Sequence, residues 1–276
     1  GKKLFKHFVE INLKADQEGD GIFKTVRSKE DFYLQLGAMA GNNLGSKEDT
    51  LVFLDEIQSY PHLMTMLKFL NEDGKYRYVA SGSQLGVALS QTPSVPIGSI
   101  AIQQMYPLDF EEFLWAMGCG KKAIESMRQS FLDKKALNES MHNYMLQQFK
   151  IYLLVGGMPD AVNKFLENRN MAQVRSIQRD IHALYRVDAS QYDDERKLVI
   201  RKIYDMIPSN MENKKKRIIV KNIEGLKAHK QFSDYAEEFE YLTNSGVALS
   251  VQAISNPSFP LIESESKNLL KLYMND

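Results

Sequence analysis

The chain has 276 residues, 43% hydrophobic and 25% charged, enough for one large domain or two to three small ones with buried cores. Its 35 Lys and Arg balance 35 Asp and Glu, which excludes a global field that recruits nucleic acid or a membrane surface. The single cysteine, Cys119, excludes an intramolecular disulfide and fits a reducing cytoplasm, and no apolar run approaches the ~20 residues that span a bilayer.

Residues 5–13 (FKHFVEINL) alternate and are rich in β-formers, which predicts a strand. Ser28-Lys29-Glu30-Asp31 has the form of a capping box, followed by Phe32, Leu36 and Met39 on one helical face. Leu51-Val52-Phe53-Leu54 is wholly apolar and ends in Asp55-Glu56, the pattern of a strand buried on both faces in a parallel sheet. Carboxylates at the carboxyl end of such a strand lie where open α/β sheets bind ligands. One acid there can hold a magnesium ion through its water shell and the next can polarise an attacking water, the Walker B arrangement. The plain alternative is a solvated acidic turn.

Pro61 opens a helix with Leu63, Met66, Leu67 and Leu70 on its apolar face. Residues 76–80 (YRYVA) predict another strand, which ends in Ser81-Gly82-Ser83. A small hydroxyl beside a glycine can approach a phosphate or a water closely, although the tripeptide also suits an ordinary turn. The order strand, Asp-Glu, helix, strand, Ser-Gly-Ser is more specific than either piece. Residues 99–105 read as a further strand, and 107–115 (PLDFEEFLW) as a turn entering a helix seated by Trp115 and its Phe neighbours. Strands alternating with helices over 1–110 indicate a parallel α/β sheet.

From about 113 to 192 the periodicity is helical, with one break at Gly156-Gly157-Met158-Pro159, and the run Met141 to Met145 reads as core. A helix at 193–206, the basic stretch Lys214, Lys215, Lys216 and Arg217, and an apolar triplet at 218–220 come next. A helix with Phe232, Ala236, Phe239 and Leu242 on one face, capped by Gly246, precedes a β-like tail at 247–254. Helices followed by a short ribbon suggest a winged helix.

LVFLDEIQ (51–58), VASGSQL (79–85), MYPLDFEEFLW (105–115) and YLLVGGMPDAV (152–162) occur in this order in a family of prokaryotic AAA+-related ATPases. The chain resembles that family from about residue 5 to its end. The resemblance implies an α/β fold: a parallel-sheet P-loop ATPase core at 1–112, a helical lid at 113–192, a winged helix at 193–258, and the start of a truncated nuclease-like C-terminal domain at 259–276. It implies an ATP and Mg²⁺ site, with Asp55 coordinating magnesium, Glu56 activating water, and Ser83 or Ser81 sensing phosphate. Arg179, with Arg175 and Arg186, lies on a lid helix where such ATPases place a γ-phosphate sensor.

Two departures stand out. The family's Gly-x-x-x-x-Gly-Lys-Ser/Thr loop is missing, and Gly1-Lys2 leads into a strand, whereas a P-loop lysine opens a helix. Gly98-Ser99 stands where many relatives carry Gly-Arg. The implied sheet order, 5-1-4-3-2, puts the absent first strand between 76–80 and 99–105 and leaves two interior edges unpaired. Both ends of the chain read as cuts in a longer protein.

The competing class is a winged-helix nucleic-acid or protein-interaction module with a vestigial ATPase core. Residues 196–230 are strongly basic and could track phosphates, with DNA docking through Lys214 to Arg217. Asp234, Glu237, Glu238 and Glu240 on the following helix oppose this, so a packing module is the stronger form of the reading. A homo-oligomer is compatible with either class. The five histidines show no metal-ligand spacing with Cys119, and Ser-Gly-Ser lacks a nucleophile elbow. Because the loop that cradles the β,γ-phosphates is missing, the 1–276 polypeptide is expected to be inactive and to bind ATP very weakly. Calorimetric titration with Mg²⁺-ATP checks this, and tight binding contradicts it.

Overall fold

In the computed structural model, which describes residues 3–82, 98, 100–188, 196–212, 232–261 and 265–275, the apolar run becomes the middle of a three-stranded parallel sheet. Strands β1 (His7–Asn12), β2 (Thr50–Asp55) and β3 (Arg77–Ala80) lie in that order. Asn12 sits opposite Asp55, and Leu54 opposite Ala80, so the three carboxyl ends reach one edge together. Leu51, Val52 and Leu54 are buried, as a strand covered on both faces requires. The flanking strands alternate: Val9 and Ile11 point inward on β1, whereas Arg77 and Val79 are exposed on β3. The implied 4-3-2 part of the expected sheet order is the order observed.

The crossovers follow local signals. Helix α1 (Leu13–Glu18) starts directly after β1, with the Asn12 side chain capping it through a 2.8 Å bond from the Ala15 N–H. Helix α2 (Lys29–Ala40) opens on the Ser28/Asp31 capping box and buries Phe32 and Leu36, while Met39 is largely exposed. Helix α3 (Pro61–Asp73) takes Pro61 at its first turn, buries Leu63, Met66 and Leu70, and ends at Gly74 with φ 64°. Each such side chain contributes about 1.5–3 kcal/mol on burial, so these helices are held mainly by the sheet they cover.

The Asp16 carboxylate organises the turn between them. It accepts bonds from the Ile22 and Phe23 amides at 3.0 and 3.1 Å and from the Tyr60 hydroxyl at 2.8 Å. Residue 60 closes the short 3₁₀ turn Ile57–Ser59 that leads out of Asp55-Glu56, so this carboxylate also steadies the segment beyond the acid pair.

Residues 100–105 form no strand, contrary to their β-rich sequence. Propensity makes a strand only where a ladder partner exists, and among the described residues none pairs with this segment. The chain divides into two compact units, Gly1–Gln103 with Asn244–Gly246, and Gln104–Thr243 with Val247–Asp276.

The second unit is mainly helical. Helix α4 (Phe110–Ala116) opens on an Asp109/Glu112 capping box. Its adjacent Phe113 and Leu114 enter separate clusters, Phe113 with Val155, Val162 and Phe165, and Leu114 with Ile124 and Met145. Phe113 therefore seats this helix, and Trp115 is 53% exposed. Helices α5 (Lys121–Leu132), α6 (Glu139–Val155), α7 (Pro159–Asn168) and α8 (Met171–Asp188) follow. Met145 is core as expected, while Tyr144 is exposed.

The glycine pair after α6 has two separate causes. Gly156 adopts φ 76°, ψ −172°, a region essentially closed to other residues. A Cβ on Gly157 would lie 2.2 Å from the Leu108 carbonyl oxygen, because the Leu108 N–H donates to the Gly157 carbonyl at 2.8 Å.

Helix α9 spans Lys197–Glu212, longer than the sequence suggests, and its Asp205 pairs with Arg186 of α8 at 2.6 Å. The expected inward Ala236 is exposed, because Phe232–Tyr235 is a 3₁₀ turn that brings Tyr235 into its place ahead of α10 (Ala236–Asn244). Strands β4 (Ala248–Ile254) and β5 (Glu265–Met274) pair antiparallel as a ribbon, with an irregularity between Gln252 and Ile254. The basic stretch 214–217 and the triplet 218–220 lie outside the described residues.

Burial first, and then the Asp16 carboxylate, push the Tyr60 hydroxyl up to about 12. A raised folded value means that this contribution to stability is fully present below the phenol's ordinary value of about 10 and is lost as pH rises through about 12. Tyr60→Phe is expected to remove that alkaline component, measured as a smaller drop in urea midpoint between neutral and strongly alkaline buffer than in the parent.

Candidate functional site

The chain leaves β2 at Asp55 and reverses within one residue. The Ser81 N–H donates to the Leu54 carbonyl at 2.9 Å, and the Ser81 carbonyl accepts from the Ile57 N–H at 3.0 Å. Backbone groups of one residue thus bracket Asp55-Glu56 on both sides. Glu56 turns the chain back by adopting φ 57°, ψ 46°, a left-handed conformation that costs a non-glycine residue roughly 1–2 kcal/mol. The buried Ile57 side chain anchors the far side of the turn, so Glu56 cannot relax without uncovering it.

The Asp55 carboxylate joins the ends of all three strands. Its Oδ1 accepts from the Ser81 hydroxyl at 2.5 Å, and its Oδ2 accepts from the Asn12 amide at 3.2 Å. The other end of the Asn12 amide caps α1, which fixes its orientation. Glu56 points its own carboxylate at Gln58, whose Nε2 donates to Oε2. The Gln58 Oε1 is buried with no partner among the described residues, and it lies 2.2 Å from where a Cβ on Gly82 would be. Glycine at 82 is thus a matter of close approach.

Of the residues singled out in the sequence, the fold brings Asp55 and Ser81 into contact and sets Glu56 beside them. Ser83 lies outside the described residues, as do Lys214, Lys215, Lys216 and Arg217. Arg175 and Arg179 are exposed on α8 in the helical unit, and Arg186 is engaged by Asp205. Asn12 and Gln58 were given no role by sequence. The signal for Asn12 is a polar side chain closing an alternating strand, opposite Asp55 once the register is known.

The donor chemistry suits part of a Mg²⁺-ATP site. Magnesium takes oxygen ligands, keeps several waters and needs only one or two carboxylates, which Asp55 beside Ser81 provides. Among the described residues no group of three His, Cys, Asp or Glu could hold a metal on its own. A phosphate cradle needs free backbone N–H groups. At these ends the Ala15 amide is taken by Asn12 and the Ile57 amide by Ser81, so the described strand ends fit the cation and water side and not the cradle.

Residues 2–114 match the model of the AAA domain, so this part of the chain is related to the AAA-type P-loop ATPases, an ATPase-related and nucleotide-binding group. Residues 146–276 match a domain of unknown function (DUF8612), one continuous match that includes α9, α10 and the ribbon. No curated protein and no solved structure matches the chain. No helix among the described residues is long and apolar enough to cross a membrane.

Ser81→Ala removes the donor to Asp55 while keeping both backbone bonds at that position. It is expected to lower stability by about 1–2 kcal/mol, less in an Asp55→Asn background, checked by a urea-denaturation double-mutant cycle.

Proposed function

We propose that the strand ends of residues 2–114 form the cation- and water-holding half of an ATP-hydrolysing site. The Ala15 and Ile57 amides at these strand ends are engaged, so the phosphate-cradling half is not built from them. The observation that carries this reading is the Asp55 carboxylate fixed between Ser81 and Asn12, with the Glu56 carboxylate next to it on the ligand-binding edge of a parallel sheet.

When bound, Mg²⁺-ATP supplies the electrophilic phosphorus and the cation that neutralises its oxygens. Asp55, held by two donors, keeps one orientation and offers its lone pairs to the ion's water shell. Glu56 orients a water and takes its proton, a contribution on the order of 10²–10⁴ in rate. Ser81 steadies Asp55, and Ser83 or Ser81 senses phosphate. Residues 113–192 act as the helical lid, with Arg179 as the candidate γ-phosphate contact. Residues 193–258 form the winged helix, for which α9 and α10 supply helices and β4, paired with β5, supplies a wing. Hydrolysis moves lid and winged helix relative to the core. Arg196 is committed to Glu237 and Glu238 of α10, which favours a packing role for this module over phosphate binding.

In protein that carries the phosphate loop, Glu56→Gln is expected to keep nucleotide binding and lose turnover by about 10²–10⁴-fold. Fluorescent-nucleotide binding and phosphate release measure the two separately. Unchanged turnover would sink the assignment.

A further inference from the structure

We infer that Gln58 is a positioning residue for Glu56, an inference that rests on the hydrolytic role proposed for that glutamate. The Gln58 Nε2 donates to the Glu56 carboxylate, and the reversed amide would set a carbonyl oxygen against the anion, so charge fixes which end faces Glu56. Gly82 leaves the room that the amide oxygen takes, since a Cβ there would lie 2.2 Å from it. The Glu56 backbone is pinned by the Ser81 bracket, which leaves its long side chain as the only free part, and the Gln58 amide takes up that freedom.

Packing alone does not account for this residue. Among the described residues its Oε1 is buried with no partner, a loss that an apolar side chain of the same length would avoid. An amide with half its hydrogen-bonding capacity unused is explained by what the other half does, which is to aim the carboxylate.

That argument separates a structural from a positioning role. Gln58→Met keeps volume and removes both polar ends. The 1–276 chain with this substitution is expected to unfold at the same temperature as the parent or higher. In protein carrying the phosphate loop, the same substitution lowers kcat by up to about 100-fold at unchanged nucleotide affinity, because a misplaced base costs rate and not binding. The effect disappears in a Glu56→Gln background.

Gly82→Ala, which pushes the amide away, reproduces the fall in kcat. In the 1–276 chain, the Gln58 side-chain amide resonances move on Glu56→Ala, a readout needing no nucleotide. Amide resonances that do not move, or full kcat in Gln58→Met where Glu56→Gln abolishes turnover, overturn the role of Gln58. Full turnover in Glu56→Gln itself overturns the hydrolytic reading, and the amide resonances report the contact independently of it.

Discussion

The Asp55 carboxylate, shared between Ser81 and Asn12, is the contact on which the candidate site depends. Parallel strands end where hydrogen-bonding partners run out, and each chain then departs in its own direction. A carboxylate at the end of the middle strand that accepts from both neighbours holds three departures to one edge. The covalent neighbour of that group, Glu56, is placed by the same tie, because Ser81 carries both the hydroxyl and the two backbone bonds that bracket the acid pair. Burial of Val52 and Leu54 one turn of the pleat away keeps the middle strand from sliding, so the polar edge inherits its register from the apolar core.

The helical unit solves a different problem with similar economy. Helix α4 is short, and its two adjacent buried side chains feed two clusters, so it joins α5 to the α6–α8 group without a long interface of its own. The glycine pair after α6 lets the backbone of Leu108 come within hydrogen-bonding distance, and the Tyr152 hydroxyl donates to the Leu108 carbonyl at 2.8 Å. Ordering of the segment before α4 thus depends on the end of α6. The second family match begins within α6.

Much of the sheet and its helices could be read from sequence because the signals are local. The capping box at Ser28, Pro61 at a helix start and the apolar run ending in two acids each act within a few residues. Residues 100–105 form no strand because pairing is not local: among the described residues no strand lies beside them to complete a ladder. Likewise, neither Asn12 nor Gln58 announces itself, since the first matters through a register between strands and the second through a glycine distant in sequence. Ala236 was displaced by Tyr235 because a 3₁₀ turn changes which residues share a face, and composition does not report that change.

The left-handed backbone at Glu56 carries a consequence for anyone who tries to improve this protein. Glycine occupies that conformation freely, and asparagine tolerates it better than glutamate does. A screen that rewards thermal resistance alone would therefore drift toward replacing residue 56, and its best scorers would be the ones that had discarded the acid. At this corner, robustness and chemistry are opposed in one residue, so variants should be ranked on both.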